Sequence, residues 1–396
     1  MTGRRRASRS GVLALCLLLG SLVSCGGQPA ANSAKAEVQS LLDRRSTAVL
    51  HHDETAYTRT GARTAYENLS AVPFASWSYR LTSLHRSGAT ATADAELSYK
   101  VKGYDTAPVT VGRTLGLRLT ADGQWYVDSD RPAKTSGQQL WDQGKVSVVK
   151  GAHSLVMGVG QDAVTLREYR SLADHAVPAV SDAWGTDWTR HVVVLVPDSL
   201  DGMAGLLGSP AASYRGIAAV TTGEAGGSGS APADRIIVNP DAYALLGSMG
   251  KQVVLTHETT HVATRAHTTA ATPLWLSEGY ADWIGYRGTG RTPTQAAPEL
   301  YRAVEAGDLP TDLPTDKDFG FDSDSTKLAQ AYEGGWMACR MIEDRWGVDQ
   351  LGRFYRAVGA HKKRAGAVED ALKSVLGVTS GDFTAEWREY LKAQLG

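Results

Sequence analysis

Two histidines stand four residues apart in VVLTHETTHVAT (253–264), with a glutamate directly after the first. His257 and His261 carry the ring nitrogens that divalent transition metals favour, and Glu258 carries a carboxylate able to move a proton. Spacing decides whether the three act together. On a β-strand the imidazoles would share a face but sit about 13 Å apart, too far for one ion with ligand bonds of about 2 Å. On a helix they stand one turn apart, about 6 Å along the axis, and Glu258 projects from nearly the same face. Metal chemistry therefore requires a helix here. Val253, Val254, Thr256, Thr259, Thr260, Val262 and Thr264 are β-branched and weaken intrinsic helix preference, so burial must hold it.

Two imidazoles leave a catalytic zinc one protein ligand short. The stretch TPLWLSEGYADWIGYRGTG, from Thr272, reads as a second helix opened by Pro273 and closed by Gly288. Leu276, Tyr280, Trp283 and Ile284 form its apolar stripe, while Glu278 and Asp282 lie one turn apart on another face. Glu278, on this second helix packed across the first, would complete a His, His, Glu set, and Gly279 leaves room for helices to approach. Asp282 is placed to accept the free N–H of a liganding imidazole and so fix its tautomer. As an isolated pair the two carboxylates fit a solvated helix face equally well; the neighbouring H-E-x-x-H favours the ligand reading.

HETTH followed by WLSEGYADW, with sixteen residues between His261 and Glu278, resembles the gluzincin metallopeptidases. The nearest branch contains the aminopeptidase-N-type enzymes and their peptidase MA-like relatives. The resemblance implies one Zn2+ per chain on His257, His261 and Glu278, with Glu258 as general base. AYEGGWMACRMIEDRWG (331–347) resembles a later helix of that family, in which a tyrosine stabilises the transition state, and matches it at Tyr332. FTAEWREYLKAQL resembles the family's helical tail. The likeness covers roughly residues 145 to 396.

It departs at two points. The gap from His261 to Glu278 is slightly shorter than in the aminopeptidases, and nothing corresponds to the G-x-M-E-N motif that holds a substrate's free amine. The expectation is therefore a peptide or protein substrate cut by an endopeptidase. One competing reading keeps the gluzincin fold as a catalytically inactive binding module. Glu258 argues against it, because a general base is not a metal ligand and has no structural need to be there. Another places the function in a small-molecule or partner-binding cup upstream, where residues 35–135 offer no converging polar chemistry.

The rest of the 396 residues must position and address these groups. A length of this kind suggests two folded units, and 42% hydrophobic residues suffice for ordinary cores. A formal net charge of −1 offers no electrostatic footing for nucleic acid. MTGRRRASRSGVLALCLLLGSLVSC has a basic start, a short apolar run and a small-residue exit, which reads as a signal peptide over 1–24. LVSC resembles the lipobox of bacterial lipoproteins, which would make Cys25 the lipidated N-terminus and residues 25–34 a tether. The protein would then be exported and held by lipid on the outer face of the cytoplasmic membrane. Of the three cysteines, Cys16 is removed and Cys25 lipidated, leaving Cys339 as a small buried apolar residue.

Helical spacing at Val38, Leu41, Leu42, Val49 and Leu50 is followed, from Ser76 to Asp128, by alternating strands with turns at Ser87-Gly88 and Asp122-Gly123. This predicts an α+β accessory domain over 35–135, of the kind that nuclear-transport-factor-2-like folds resemble. RPAKTSGQQ (131–139) reads as a linker. Beyond it come a strand in KVSVVKGAHSLVMG, a helix from Asp162 to Ala183, a buried strand in HVVVLVP, and RIIVNP, which fits either a substrate-binding edge strand or a core strand. After Asp241 the signals are mainly helical, so the fold class is α+β, with a zincin-type domain over 145–396 carrying a small sheet.

Overall fold

A computed structural model describes residues 28–222, 234–320 and 324–396. Cys25 and the segment read as a signal peptide lie outside them. Helix α1 (Gln28–Leu50) starts inside the stretch read as a tether and buries Val38, Leu41, Leu42 and Val49. After the short α2 (Glu54–Thr58) and α3 (Arg63–Leu69) come four strands: β1 (Phe74–Ser87), β2 (Thr90–Val101), β3 (Val109–Leu119) and β4 (Trp125–Pro132). They form one antiparallel sheet in the order β1-β2-β3-β4, on which α1 packs. Gly88 and Gly123 take the positive φ that the turns after β1 and β3 require.

The second unit begins with α4 (Leu140–Gln143). KVSVVKGAHSLVMG is a hairpin rather than one strand, because Asp174 accepts the backbone N–H of Ala152 and His153 and folds the chain back between β5 (Ser147–Lys150) and β6 (Ser154–Gly158). Helix α5 (Ala163–Trp184), capped by Asp162, leads to β7 (Val192–Val196) and α6 (Leu200–Leu207). Strands β8 (Ala219–Thr221) and β9 (Arg235–Val238) complete a five-stranded sheet in the order β5-β6-β7-β9-β8. RIIV is thus an inner, fully buried strand, and the edge belongs to the three-residue β8, antiparallel to it.

From α7 (Pro240–Ala244) onward the described chain is helical: α8 (Ser248–Thr264), α9 (Leu274–Tyr286), α10 (Pro293–Ala296), α11 (Pro298–Glu305), α12 (Ser325–Trp346), α13 (Val348–Gly359), α14 (Ala367–Ala371) and α15 (Ser380–Leu395). Their core includes Leu276, Tyr280, Trp283, Phe354, Trp387 and Cys339, all at most 2% exposed. No described helix is long and apolar enough to cross a membrane.

The stretch read as a linker is bonded down on both sides. Arg131 and Pro132 belong to β4, Ser136 accepts from Gly112, and the Gln138 N–H donates to the Gly205 carbonyl. A shared core runs across it, joining Leu97, Tyr99 and Leu115 of the first sheet to Trp141, Met157, Leu195 and Ile237 of the second unit. Buried Arg235 of β9 pairs with Asp105 of the first unit at 2.8 Å. Turn-forming composition carries no information about whether the flanking elements touch.

Candidate metal centre

The H-E-x-x-H segment is helical, as metal chemistry demands. α8 lies between α5 and α9 and above β8, and Leu255, Thr259, Thr260, Ala263 and Thr264 are buried in those contacts. Two of its threonine hydroxyls are bonded within the helix, Thr256 and Thr260 each donating to the carbonyl four residues back at 2.8 Å.

Three donor atoms converge where α8 meets α9. His257 Nε2 lies 3.2 Å and His261 Nε2 3.3 Å from the same Glu278 oxygen, and the two nitrogens are 3.0 Å apart. Among the described residues this is the one cluster of His, Cys, Asp or Glu with metal-holding geometry. Asp282 accepts the Nδ1–H of His257 at 2.8 Å, so the Nε2 of that ring presents a lone pair. Lone pairs facing each other at these distances repel unless a proton or a metal cation lies between them. Ligand bonds of about 2.0–2.1 Å in a tetrahedral zinc site place ligand atoms about 3.3 Å apart, which the three edges match. The residues present fit zinc, and side-chain exposures of 13–21% leave the triangle reachable from solvent.

The electrostatics agree. Burial pushes the Glu278 carboxyl up, yet His261 and His257 outweigh it and hold it far below the usual carboxylate range. Burial likewise opposes charge on His257, and Asp282 with Glu278 outweighs it, so its pKa lies well above the ordinary imidazole value. The pocket is set to hold positive charge beside an ionised carboxylate.

Close helix approach brings Glu278 into place. A Cβ on Gly279 would lie 2.3 Å from the backbone carbonyl of Gly335 in α12, and one on Gly335 would lie 2.5 Å from the Trp275 carbonyl. Neither obstacle is a flexible side chain. Gly279→Ala must therefore push α9 off α12, at about 1–3 kcal/mol for such overpacking. The expected result is a melting temperature lower by about 3–10 °C and zinc affinity lower by at least about tenfold. Thermal unfolding and zinc titration measure both, and no change in either would contradict this contact.

Glu258 is 6% exposed and turns toward the sheet. Its Oε2 accepts the Thr221 hydroxyl of β8 at 2.6 Å. Arg265, one turn beyond His261, donates to the Thr222 carbonyl at 2.6 Å and to the Asp234 carboxylate at 2.8 Å, tying the described ends of β8 and β9 to the end of α8. Neither Thr221 nor Arg265 stood out in the sequence. No spacing signal marks them, because their partners are 37 and 31–43 residues away. Tyr332 of α12 stands edge-on to Phe319, with ring centroids 5.1 Å apart. Burial, then the charges of Glu278, Asp282 and Glu258, push its phenol well above the usual value, so it remains an O–H donor at neutral pH.

No family model matches the chain, and no curated protein matches it. Solved structures similar to it include an M1 zinc metallopeptidase from Deinococcus radiodurans, at 11% identity and a TM-score of 0.34, covering 80% of this chain and 93% of that one. A variant of that peptidase bound to a Tyr-Ser-Ala substrate gives the same figures. A two-domain M1 zinc metallopeptidase variant bound to L-arginine, also at 11% and 0.34, covers 84% and 98%.

Proposed function

We propose that this chain is a zinc-dependent peptidase that cuts peptide bonds within a chain. The reading rests on one observation: His257 Nε2, His261 Nε2 and Glu278 Oε2 meet at 3.0–3.3 Å, with Glu258 directly following the first ligand in the same helix. Zinc, when bound there, supplies a Lewis acid that makes water nucleophilic near neutral pH. Asp282 keeps His257 in the liganding tautomer. Glu258 takes the proton of the attacking water and delivers it to the departing amine. Thr221 holds one Glu258 oxygen, which leaves the other for that work. The Tyr332 O–H donates to the oxyanion that develops on the substrate carbonyl.

Tyr332→Phe is accordingly expected to lower kcat by about 10²–10³-fold while leaving zinc content and KM unchanged. Steady-state kinetics beside metal analysis would show it, and a kcat within about twofold of the parent would return Tyr332 to a packing role.

The reading as a whole is tested with residues 26–396 and an internally quenched peptide capped at both ends. Cleavage that stops with a chelator and returns with zinc supports it, and capped termini separate endopeptidase from aminopeptidase action. A well-folded chain that takes up no zinc would sink it and leave the binding-module reading. We further infer that Cys25 carries the lipid that holds the exported protein at the membrane. Metabolic labelling with palmitate, compared between the parent and Cys25→Ala, tests this directly: equal labelling would reject it.

A further inference from the structure

The first sheet and the second unit enclose a cavity of about 200 Å³ where they meet. Tyr99 and Val109 line it from the first sheet, and Leu195 and Ile237 from the second. Trp141 closes one side, edge-on to Tyr99 with ring centroids 5.0 Å apart. These rings belong to a larger aromatic group with Phe74 and Trp77. The polar lining is Gln138, Gln139, Thr222 and Arg235. The cavity lies between the two units rather than within residues 35–135.

The walls specify the occupant. An apolar cavity of about 150 Å³ takes benzene, so this one, at about 200 Å³, holds a molecule of about eight or nine heavy atoms. Tyr99 and Trp141 offer ring edges and faces to an aromatic partner. Arg235 is matched by Asp105, whose side chain is fully buried. An ionised ligand would bring an unpaired charge into apolar surroundings, which excludes it. A neutral molecule with one hydrogen-bonding group suits the glutamines.

The cavity is linked to Glu258 through the end of β8. Thr222 lines it, and the Thr222 Oγ1 accepts the Arg235 N–H at 2.8 Å while its carbonyl accepts from Arg265. The preceding residue, Thr221, holds Glu258. We propose that this cavity is a binding pocket for a compact neutral aromatic molecule, and that its occupant acts on β8 beside Glu258. Binding stands apart from the peptidase reading; only its consequence for catalysis rests on it.

Indole is the probe, titrated calorimetrically into residues 26–396, which contain every described element. One indole per chain is expected, with Kd on the order of 10–1000 µM for a ligand of this size. Hydrogen exchange at the Thr222 amide, which donates to the Arg235 carbonyl at 2.8 Å, should slow when indole is bound. Val109→Trp and Leu206→Trp fill the space from different walls, and each should weaken binding at least about tenfold. No binding at millimolar indole, or binding that survives both fillings, overturns the pocket. Unchanged exchange at Thr222 overturns the link to β8. Should both variants fail to fold, xenon density between Trp141 and Ile237 in crystals of the unaltered chain supports the pocket, and its absence overturns it. None of these readouts uses peptide hydrolysis, so an inactive chain and a missing pocket remain distinct results.

Discussion

Glu258→Gln is expected to abolish hydrolysis and leave the metal in place. The amide matches the carboxylate in shape but has no basic oxygen, so the water proton has nowhere to go. Removing a general base costs about 10²–10⁴-fold in rate, and this one also serves the leaving amine. Zinc content should stay at about one per chain, because the Glu258 carboxylate is bonded to Thr221 while the ligand triangle uses other atoms. Stability should hold or rise slightly, since a buried carboxylate becomes neutral and the Thr221 hydroxyl keeps an amide oxygen to donate to. Rates on the capped peptide, zinc analysis and thermal unfolding give the three readouts. Activity within about tenfold of the parent would remove Glu258 from the mechanism.

Glu278→Ala should do the reverse, losing the metal first and activity with it. Glu278 is the only anion in the triangle, and one of its oxygens lies within 3.3 Å of both imidazole nitrogens. Without it two neutral rings remain, and two ligands do not hold a catalytic zinc. Changes to groups that merely orient ligands cost 10–100-fold in metal affinity, so losing a ligand should cost at least about 10³-fold. The fold should persist, because Glu278 is partly exposed and alanine favours the helix. Zinc titration against a competing chelator, compared with unfolding of the metal-free parent, measures this. Full zinc retention would mean that another group serves as third ligand. The pair of variants separates the roles cleanly: one keeps zinc without turnover, the other loses both.

Much of the site was legible before any coordinates. His257 and His261 had to be helical to share an ion, and α8 is a helix despite its β-branched residues, with the Thr256 and Thr260 hydroxyls bonded within it. Glu278 and Asp282, one turn apart opposite an apolar stripe, reach the two imidazole Nε2 atoms and the His257 Nδ1, respectively. Gly279 marked close approach, although only the fold shows that its neighbour is Gly335 of α12 rather than α8. Elsewhere local composition left the outcome open. The polar, turn-rich 131–139, read as a linker, is bonded on both sides, and RIIV, apolar throughout, fitted edge and core equally until its neighbours β7 and β8 appeared.

By itself the sequence determined what repeats over a turn of helix: the two imidazoles on one face, the carboxylate after the first, and the second helix carrying Glu278 and Asp282. These follow from the 3.6-residue period and the reach of one metal ion. Tertiary structure alone decided that Thr221 holds Glu258, that Arg265 ties β8 and β9 to α8, and that the two units share a core around an aromatic-walled cavity. Such contacts join residues dozens of positions apart. They depend on how whole elements pack, and no short-range pattern in the chain records that.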